Sequence, residues 1–474
     1  MKKIEILVIG GGPAGYLAAE RLGCSRQQGE NRKKILLIEE QYMGGTCLNV
    51  GCIPTKTLLN SAKLYLHSKE VEQFGVHCSG VEFNFKEMTA WKEKVVQTLC
   101  AGVAYKMKHC NTEVVMGRAV LEVKGSSRGV RIIDGEKAGT FYESRAVLVA
   151  AGSVPVIPPI PGVKDNPKVL DSTGLLSAKS VPKKLCVIGG GVIGIEFASL
   201  FSSLGTEVSV VEMLDEIIPP MDRDHAVLMR KARNSVRFCL GSKVTRIDGG
   251  TVFFTSKNGS ENGISQEESI TADIILMAIG RRAETASWGA KEAGIDIGPK
   301  GVIVDEHMRT NISGVWAAGD VNGQSMLAHS AYRMAEVAVN DIRAFLDGTA
   351  SRDRMRYNAI PWAVYSLPEA AGVGLTEQEA LNKGLTIKKA SLPMTVSGRF
   401  VAENGIRAPG NVKVIAEAES EKILGIHILG PYASEMIWGA ASLIENELRV
   451  SDVKEMVFPH PSVSEVIREA IWSI

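Results

Sequence analysis

Net charge is nearly absent from this sequence: 54 Lys and Arg stand against 53 Asp and Glu, leaving +1 over 474 residues. That balance carries no electrostatic footprint for nucleic acid or an anionic membrane, so neither is expected as a partner. No run of about 18 unbroken apolar residues occurs, which excludes a membrane-spanning helix. Cysteine is scarce, with eight residues scattered along the chain, too dispersed for the disulfide framework of a secreted scaffold. The start also lacks a secretory core. Met1-Lys2-Lys3 leads straight into the short run Ile4-Glu5-Ile6-Leu7-Val8-Ile9, and no Arg/Ser-rich transit composition follows. A reducing cytoplasm is the expected compartment.

What the chain has is length and glycine. A chain of 474 residues is too long for one compact core, so two to four domains are expected. With 45% apolar and 23% charged residues, the rest of the composition is that of an ordinary soluble globular protein. The 48 glycines exceed the usual level of roughly 7%, and they gather at turns. One supersecondary unit occurs twice. Its first copy is the strand Ile4–Ile9, the turn Gly10-Gly11-Gly12-Pro13-Ala14-Gly15, an apolar-periodic helix over Tyr16–Leu22, and a second strand over 34–39 ending in Glu39. The second copy is Lys184–Ile188, then Gly189-Gly190-Gly191-Val192-Ile193-Gly194, a helix over Glu196–Leu204, and a strand over 207–212 ending in Glu212. Two such units predict two doubly wound α/β domains. The prolines of 155–161 read as an interdomain connection. Beyond Asp347-Gly348, two strands near 412–416 and 423–429 and a helix over 434–448 read as a separate α+β domain. The expected boundaries are 1–150, 151–273, 274–348 and 349–474.

Each glycine turn has a strand before it, a helix after it and an acid closing the next strand, the context that a dinucleotide requires. Gly10 and Gly189 permit the tight turn, and Gly12 and Gly191 let a pyrophosphate approach bare backbone. Gly15 and Gly194 let helix and strand pack closely, while the helix N-terminus offers unpaired N–H groups. Glu39 and Glu212 suit ribose hydroxyls. A 2′-phosphate beside Glu212 would meet like charge, and Met213-Leu214-Asp215 supplies no arginine, so NAD is favoured over NADP. The alternative is two structural turns without ligand.

Cys47 and Cys52 lie within Gly44-Gly45-Thr46-Cys47-Leu48-Asn49-Val50-Gly51-Cys52-Ile53-Pro54-Thr55-Lys56. On a regular helix, residues five apart stand about 140° around the axis with about 7.5 Å of rise, too far for an unstrained bridge. Gly51 and Pro54 offer a distortion that would close the gap. A zinc site would need two more ligands, and none is apparent locally. Two buried thiols are the remaining reading.

In this stretch the chain resembles the pyridine nucleotide–disulfide oxidoreductases, and the resemblance extends from Ile4 to Ala470. The segment from Cys47 to Lys56 is similar to that family's redox-active disulfide. Gly314-Val315-Trp316-Ala317-Ala318-Gly319-Asp320 is similar to its second flavin motif, in which the aspartate binds the ribityl chain. Met326-Leu327-Ala328-His329 resembles the flavin-contact segment of the dithiol-oxidising members rather than that of glutathione reductase. Ile279-Gly280-Arg281-Arg282 resembles the turn near the nicotinamide, and His460-Pro461-Ser462-Val463-Ser464-Glu465 resembles the His-Pro element whose glutamate orients the imidazole.

The resemblance implies FAD on the first dinucleotide domain, which also draws on Gly45, Thr46, Lys56, Gly117, Ala151 and Gly152. It implies NAD on the second, with Val192, Ile193, Glu196 and Val244, and a C-terminal dimerisation domain. The implied activity oxidises a dithiol such as dihydrolipoamide. Cys47 is the interchange thiol and Cys52 the charge-transfer thiolate against the flavin. His460 and Glu465 from the other subunit form the base, and Lys56 with Glu196 tunes the flavin. The implied partners are a second copy of the chain and a lipoyl group on a carrier protein, within a 2-oxoacid dehydrogenase or glycine cleavage complex. Departures occur at Phe458, Ala283, Ser366–Glu369 and the run Ser330-Ala331-Tyr332-Arg333-Met334, where the family more often has a lysine and acidic residues. Rival readings are an NADPH-dependent disulfide or mercuric reductase and a flavin-loaded docking subunit with little activity.

Overall fold

The computed structural model describes residues 2–24, 33–125, 127–261 and 264–474. The chain divides into two compact units, one of Met1–Thr57, Thr89–Val156 and Gly280–Arg356, the other of Leu58–Met88, Ile157–Ile279 and Tyr357–Ile474. Both glycine-turn repeats fold as expected, one in each unit.

In the first unit the parallel strands run Thr112–Met116, Ile35–Glu39, Lys2–Ile9 and Phe141–Val149, with Leu7 opposite both Leu36 and Val147. Every residue of Ile35–Glu39 is buried, as a parallel strand covered on both faces requires. The C-terminal end of Phe141–Val149 pairs in parallel with Val315–Ala317, and its N-terminal part pairs antiparallel with Ser127–Ile132. The core gathers Leu7, Leu36, Ile38, Val147, Val149 and Trp288. The first glycine helix, Pro13–Gly23, begins with proline in its first turn, where a missing N–H costs nothing. It is tied to the helix Ala328–Asp347 by Arg21 Nε donating to Glu336 Oε1 at 2.6 Å.

The second unit holds a five-stranded parallel sheet, in the order Val236–Cys239, Glu207–Val211, Lys184–Ile188, Ile274–Met277, Val169–Leu170. A three-stranded antiparallel sheet spans Ser242 to Thr271. The C-terminal part is an antiparallel sheet ordered Trp362–Val364, Ala370–Gly374, Ile423–Leu429, Asn411–Glu417, Ile387–Pro393. The helices Ala433–Glu445 and Glu465–Trp472 pack on it through Ile437, Ala440, Val466 and Ile467. This is the expected α+β element. The expected edge at 150 falls within the first unit, which continues to Val156. That at 274 falls within the second, which continues to Ile279 and pairs Ile274–Met277 with Lys184–Ile188. Leu58–Met88 also belongs to the second unit, where Leu58 and Leu59 share a core with Phe197 and Phe201. Among the described residues no helix is long and apolar enough to cross a membrane.

Candidate active site

Both glycine turns have the geometry that their residues demand. Gly10 and Gly189 have φ of +100° and +106°, a region that disfavours other residues. A Cβ on Gly15 would stand 1.8 Å from the Gly10 carbonyl oxygen, and one on Gly194 2.1 Å from that of Gly189, so each helix lies directly on its turn. Glu39 Oε2 accepts the Gly11 N–H at 2.6 Å and Oε1 that of Gln41 at 2.7 Å; Glu212 accepts those of Gly190 and Leu214 at 2.5 and 2.7 Å. Each carboxylate keeps acceptor capacity beyond these bonds.

These features fit a dinucleotide. Gly12 and Gly191 are N-caps without a side-chain cap, so the first-turn N–H groups of both helices lack the partner that Ser, Thr or Asp commonly supplies. The space where a Cβ of Gly191 would project is open within 4 Å, as it is at Gly152 and Gly280. Pyrophosphate oxygens meet that donor set.

The two cysteines are brought together by a break in the helix. One helix spans Gly45–Val50 and another begins at Cys52, with Gly51 between them at φ −138°, ψ −114°. The regular-helix geometry that would hold the thiols apart is therefore interrupted where glycine stands. The short helix docks on the first glycine turn, because the Gly44 N–H donates to Gly11 O at 2.9 Å and a Cβ on Gly45 would fall 2.5 Å from Gly12 Cα. That contact carries Thr46 and Cys47 toward the turn formed by Gly12, Pro13 and Ala14. Gly319 closes the other side, its would-be Cβ 3.2 Å from that of Ala14.

Cys47 and Cys52 are free, half-buried thiols in this structure. Hydrogen bonding to Cys52, burial and the charge of Cys52 push the Cys47 thiol well above the ordinary range, while the Lys56 cation pulls it down. Cys47 therefore holds its proton. Asp320 donates negative charge to the same locality. Its own carboxyl is raised by burial, against the opposing effects of Ser153 and Arg281. Ser153 Oγ donates to Asp320 Oδ2 at 2.6 Å, and Arg281 donates through Nε to Ser153 Oγ at 2.8 Å and through Nη2 to Ser153 O at 2.6 Å. Arg281, expected beside a nicotinamide, thus bonds to Ser153, which in turn donates to Asp320, the residue expected at the ribityl chain; Ser153 is a partner of Asp320 that sequence reasoning missed.

The remaining expected residues fall as follows. The Gly117 N–H donates to Glu39 O at 2.8 Å. Ala151 packs on the first core, and the Gly152 carbonyl accepts from Glu284 N at 3.0 Å. Met326 and Leu327 lead into the helix that starts at Ala328 and carries His329. Val192 and Ile193 open the second glycine helix, and Glu196, 3% exposed, accepts the Tyr365 N–H at 3.1 Å. Val244 is packed in a core with Val163, Ile247 and Phe254. His460 Nδ1 lies 3.0 Å from Glu465 Oε1; the ring is 79% exposed and the carboxylate 6%. The Ser462 N–H and the His460 ring hold the Glu465 carboxyl below its usual range.

A joined pair that the sequence did not suggest is the disulfide Cys24–Cys110, between residues 86 apart. A second is Tyr16 and Tyr332, whose hydroxyls hydrogen-bond to each other. The signal for the latter lies in the run Ser330-Ala331-Tyr332-Arg333-Met334 after His329.

Two linked glycine-turn folds, a thiol pair docked on the first and a His–Glu pair in the C-terminal part define a flavin-dependent disulfide oxidoreductase, an enzyme acting on sulfur groups with FAD and a pyridine nucleotide. The chain belongs to the pyridine nucleotide-disulphide oxidoreductase family, which its residues 4–335 match, while residues 360–471 match that family's dimerisation domain. It is 37% identical to the dihydrolipoyl dehydrogenase of Thermus scotoductus, with 99% of this chain and 97% of that protein covered. It is 36% identical to that of Chlamydia muridarum, with 98% and 96% covered. Among solved structures it is similar to the flavoprotein disulfide reductase RclA of Escherichia coli, with a TM-score of 0.83, 29% identity and both chains fully covered.

Proposed function

We propose that the protein is a homodimer that oxidises a dihydrolipoyl group, carried on a partner protein, with NAD+. The observation that carries this reading is the pair of free thiols Cys47 and Cys52, set on either side of the helix break at Gly51, with the helix bearing Cys47 docked on the first glycine turn. In the oxidised enzyme one substrate thiolate attacks Cys47; the enzyme S–S bond breaks and a mixed disulfide forms. The second substrate thiol displaces Cys47, so the substrate leaves as a disulfide and both cysteines gain hydrogen or charge. His460, held by Glu465, takes the substrate proton at Nε2, since Nδ1 faces the carboxylate. Bound FAD supplies the two-electron carrier between the thiols and the pyridine nucleotide. The dimer is supported by the dimerisation-domain match and by Val457 and Trp438, 97% and 77% exposed.

NAD in preference to NADP rests on Glu212, whose backbone bonds hold a carboxylate where a 2′-phosphate would need a cation. Rates measured side by side should favour dihydrolipoamide with NAD+ over both NADP+ and the pair glutathione disulfide–NADPH, by about tenfold or more. Faster turnover with glutathione disulfide would replace this reading with that of an NADPH-dependent reductase. Cys52→Ser should retain bound flavin and lose dithiol–NAD exchange, and near-normal turnover in that variant would overturn the assignment.

A further inference from the structure

The exchange chemistry proposed above leaves one sulfur pair without a task, the disulfide Cys24–Cys110. Cys24 caps the C-terminal end of the first glycine helix, Pro13–Gly23, whose other end is capped by Gly12 of the turn. The helix's 11 residues place those two ends about 16 Å apart. Cys110 shortly precedes the strand Thr112–Met116, which runs beside Ile35–Glu39 with Thr112 opposite Ile35 and Met116 opposite Glu39. Where that strand finishes, the Gly117 N–H donates to Glu39 O at 2.8 Å, and Glu39 Oε2 accepts the Gly11 N–H at 2.6 Å. Helix and strand thus both have one end at the turn and Glu39, the groups suited to a dinucleotide, and the other end at the disulfide. The joint there is tight: a Cβ on Gly23 would stand 1.8 Å from Cys110 O, and Thr112 Oγ1 donates to that same oxygen at 3.1 Å. An incoming thiolate meets Cys24 first, because Cys24 is partly exposed and Cys110 only 4% exposed.

We propose that Cys24–Cys110 is a reducible clasp on the flavin site: closed, it holds helix and strand together around FAD, and opened by a dithiol, it loosens that grip. One thiolate of the dithiol attacks Cys24 Sγ, the Cys24–Cys110 bond breaks, and a mixed disulfide forms. The dithiol's second sulfur then attacks the first, breaking the bond to Cys24. The dithiol leaves as a cyclic disulfide, two electrons pass to the protein, and both of the dithiol's protons end on the two cysteines. A dithiol is also the class of substrate in the reading above, so the clasp senses the local supply of that reductant. It does not depend on exchange at Cys47 and Cys52.

The test treats the holoenzyme with dihydrolipoamide, traps thiols with iodoacetamide and reads the Cys24 and Cys110 peptides by mass spectrometry. The bond should open in the folded protein, with far-ultraviolet dichroism unchanged. The FAD dissociation constant should then rise about tenfold, an ordinary size for coupling between two sites. Coupling is reciprocal, so the apoprotein's bond should open at an about tenfold lower ratio of reduced to oxidised lipoamide. Cys24→Ser and Cys110→Ser should each bind FAD as weakly as the reduced protein, and dihydrolipoamide should leave that affinity unchanged. A bond that stays closed in excess dihydrolipoamide while the fold persists would overturn the proposal. Equal FAD affinity in the open and closed forms would do the same. So would a dithiol-dependent loss of affinity that persists in both serine variants, since that effect would belong to Cys47 and Cys52. Absence of dithiol–NAD exchange would instead sink the functional reading and leave the clasp standing.

Discussion

Glu465 is kept ionised by the Ser462 amide and the His460 ring, so the imidazole's Nδ1 side is committed and its exposed Nε2 remains to accept a proton. That arrangement suits the tautomer that the proposed base requires. The thiol pair has the complementary asymmetry: Cys47 holds its proton against Cys52, and Lys56 lowers the cost of releasing it. His460→Gln should therefore slow dithiol oxidation by about 10²- to 10⁴-fold, the usual contribution of a positioned base, while NADH oxidation by an artificial acceptor survives. Both assays are read on the same preparation, and an equal loss in the two would point to damaged flavin binding instead.

At the scale of elements, the site depends on where helices stop. The Gly45–Val50 helix ends at Gly51, where a Cβ would lie 2.8 Å from the Thr46 carbonyl oxygen, so a larger residue there opposes the fold that joins the thiols. The Cys24–Cys110 bond acts similarly at the other end of the first glycine helix. Cys24 caps that helix, Cys110 follows the long helix Phe85–His109, and a Cβ on Gly23 would fall 1.8 Å from Cys110 O. A cross-link between residues 86 apart removes roughly 4–5 kcal/mol of unfolded-chain entropy in the loop-closure treatment. Digestion without reductant should release the Cys24 and Cys110 peptides as one species. Cys110→Ser should lower the stability of the oxidised protein by about 2–5 kcal/mol, read from its urea midpoint.

At the scale of the whole molecule, the second unit carries an ionic joint between its parallel sheet region and its C-terminal sheet. Lys413, 1% exposed, lies 2.9 Å from Asp222, 2.8 Å from Asp224 and 2.6 Å from Glu377. Beside it are two buried imidazoles: His225 Nε2 donates to Asn411 Oδ1 at 2.7 Å and His427 Nε2 to Leu375 O at 3.1 Å. Burial pushes His225 down to about 4 and lowers His427 as well. The unfolded chain takes up these protons near pH 6.5 and the folded chain only at lower pH. Their full contribution is thus present above about 6.5 and is lost progressively as pH falls toward 4. For His225 the loss amounts to about 3 kcal/mol. Tm should drop between about pH 7 and about pH 4.5, and His225→Gln should lower Tm at neutral pH while flattening that acid slope.

What the sequence determined by itself is local. The positive φ of the turn glycines, the bare helix starts, the acids closing each second strand and the order of the motifs all lie within short stretches, where steric rules act on neighbours. The family and both glycine-turn folds were legible for that reason, as was the pairing of His460 with Glu465 five residues on. The distant partnerships were decided only when the chain returned on itself: Tyr16 with Tyr332 across 316 residues, Arg281 with Ser153 across 128, Cys24 with Cys110 across 86, and Lys413 with Asp222 across 191. The grouping of Leu58–Met88 and Ile274–Met277 with the second unit was decided in the same way. Such contacts depend on how sheets and helices stack, and no periodicity or spacing along the chain encodes which surfaces will meet.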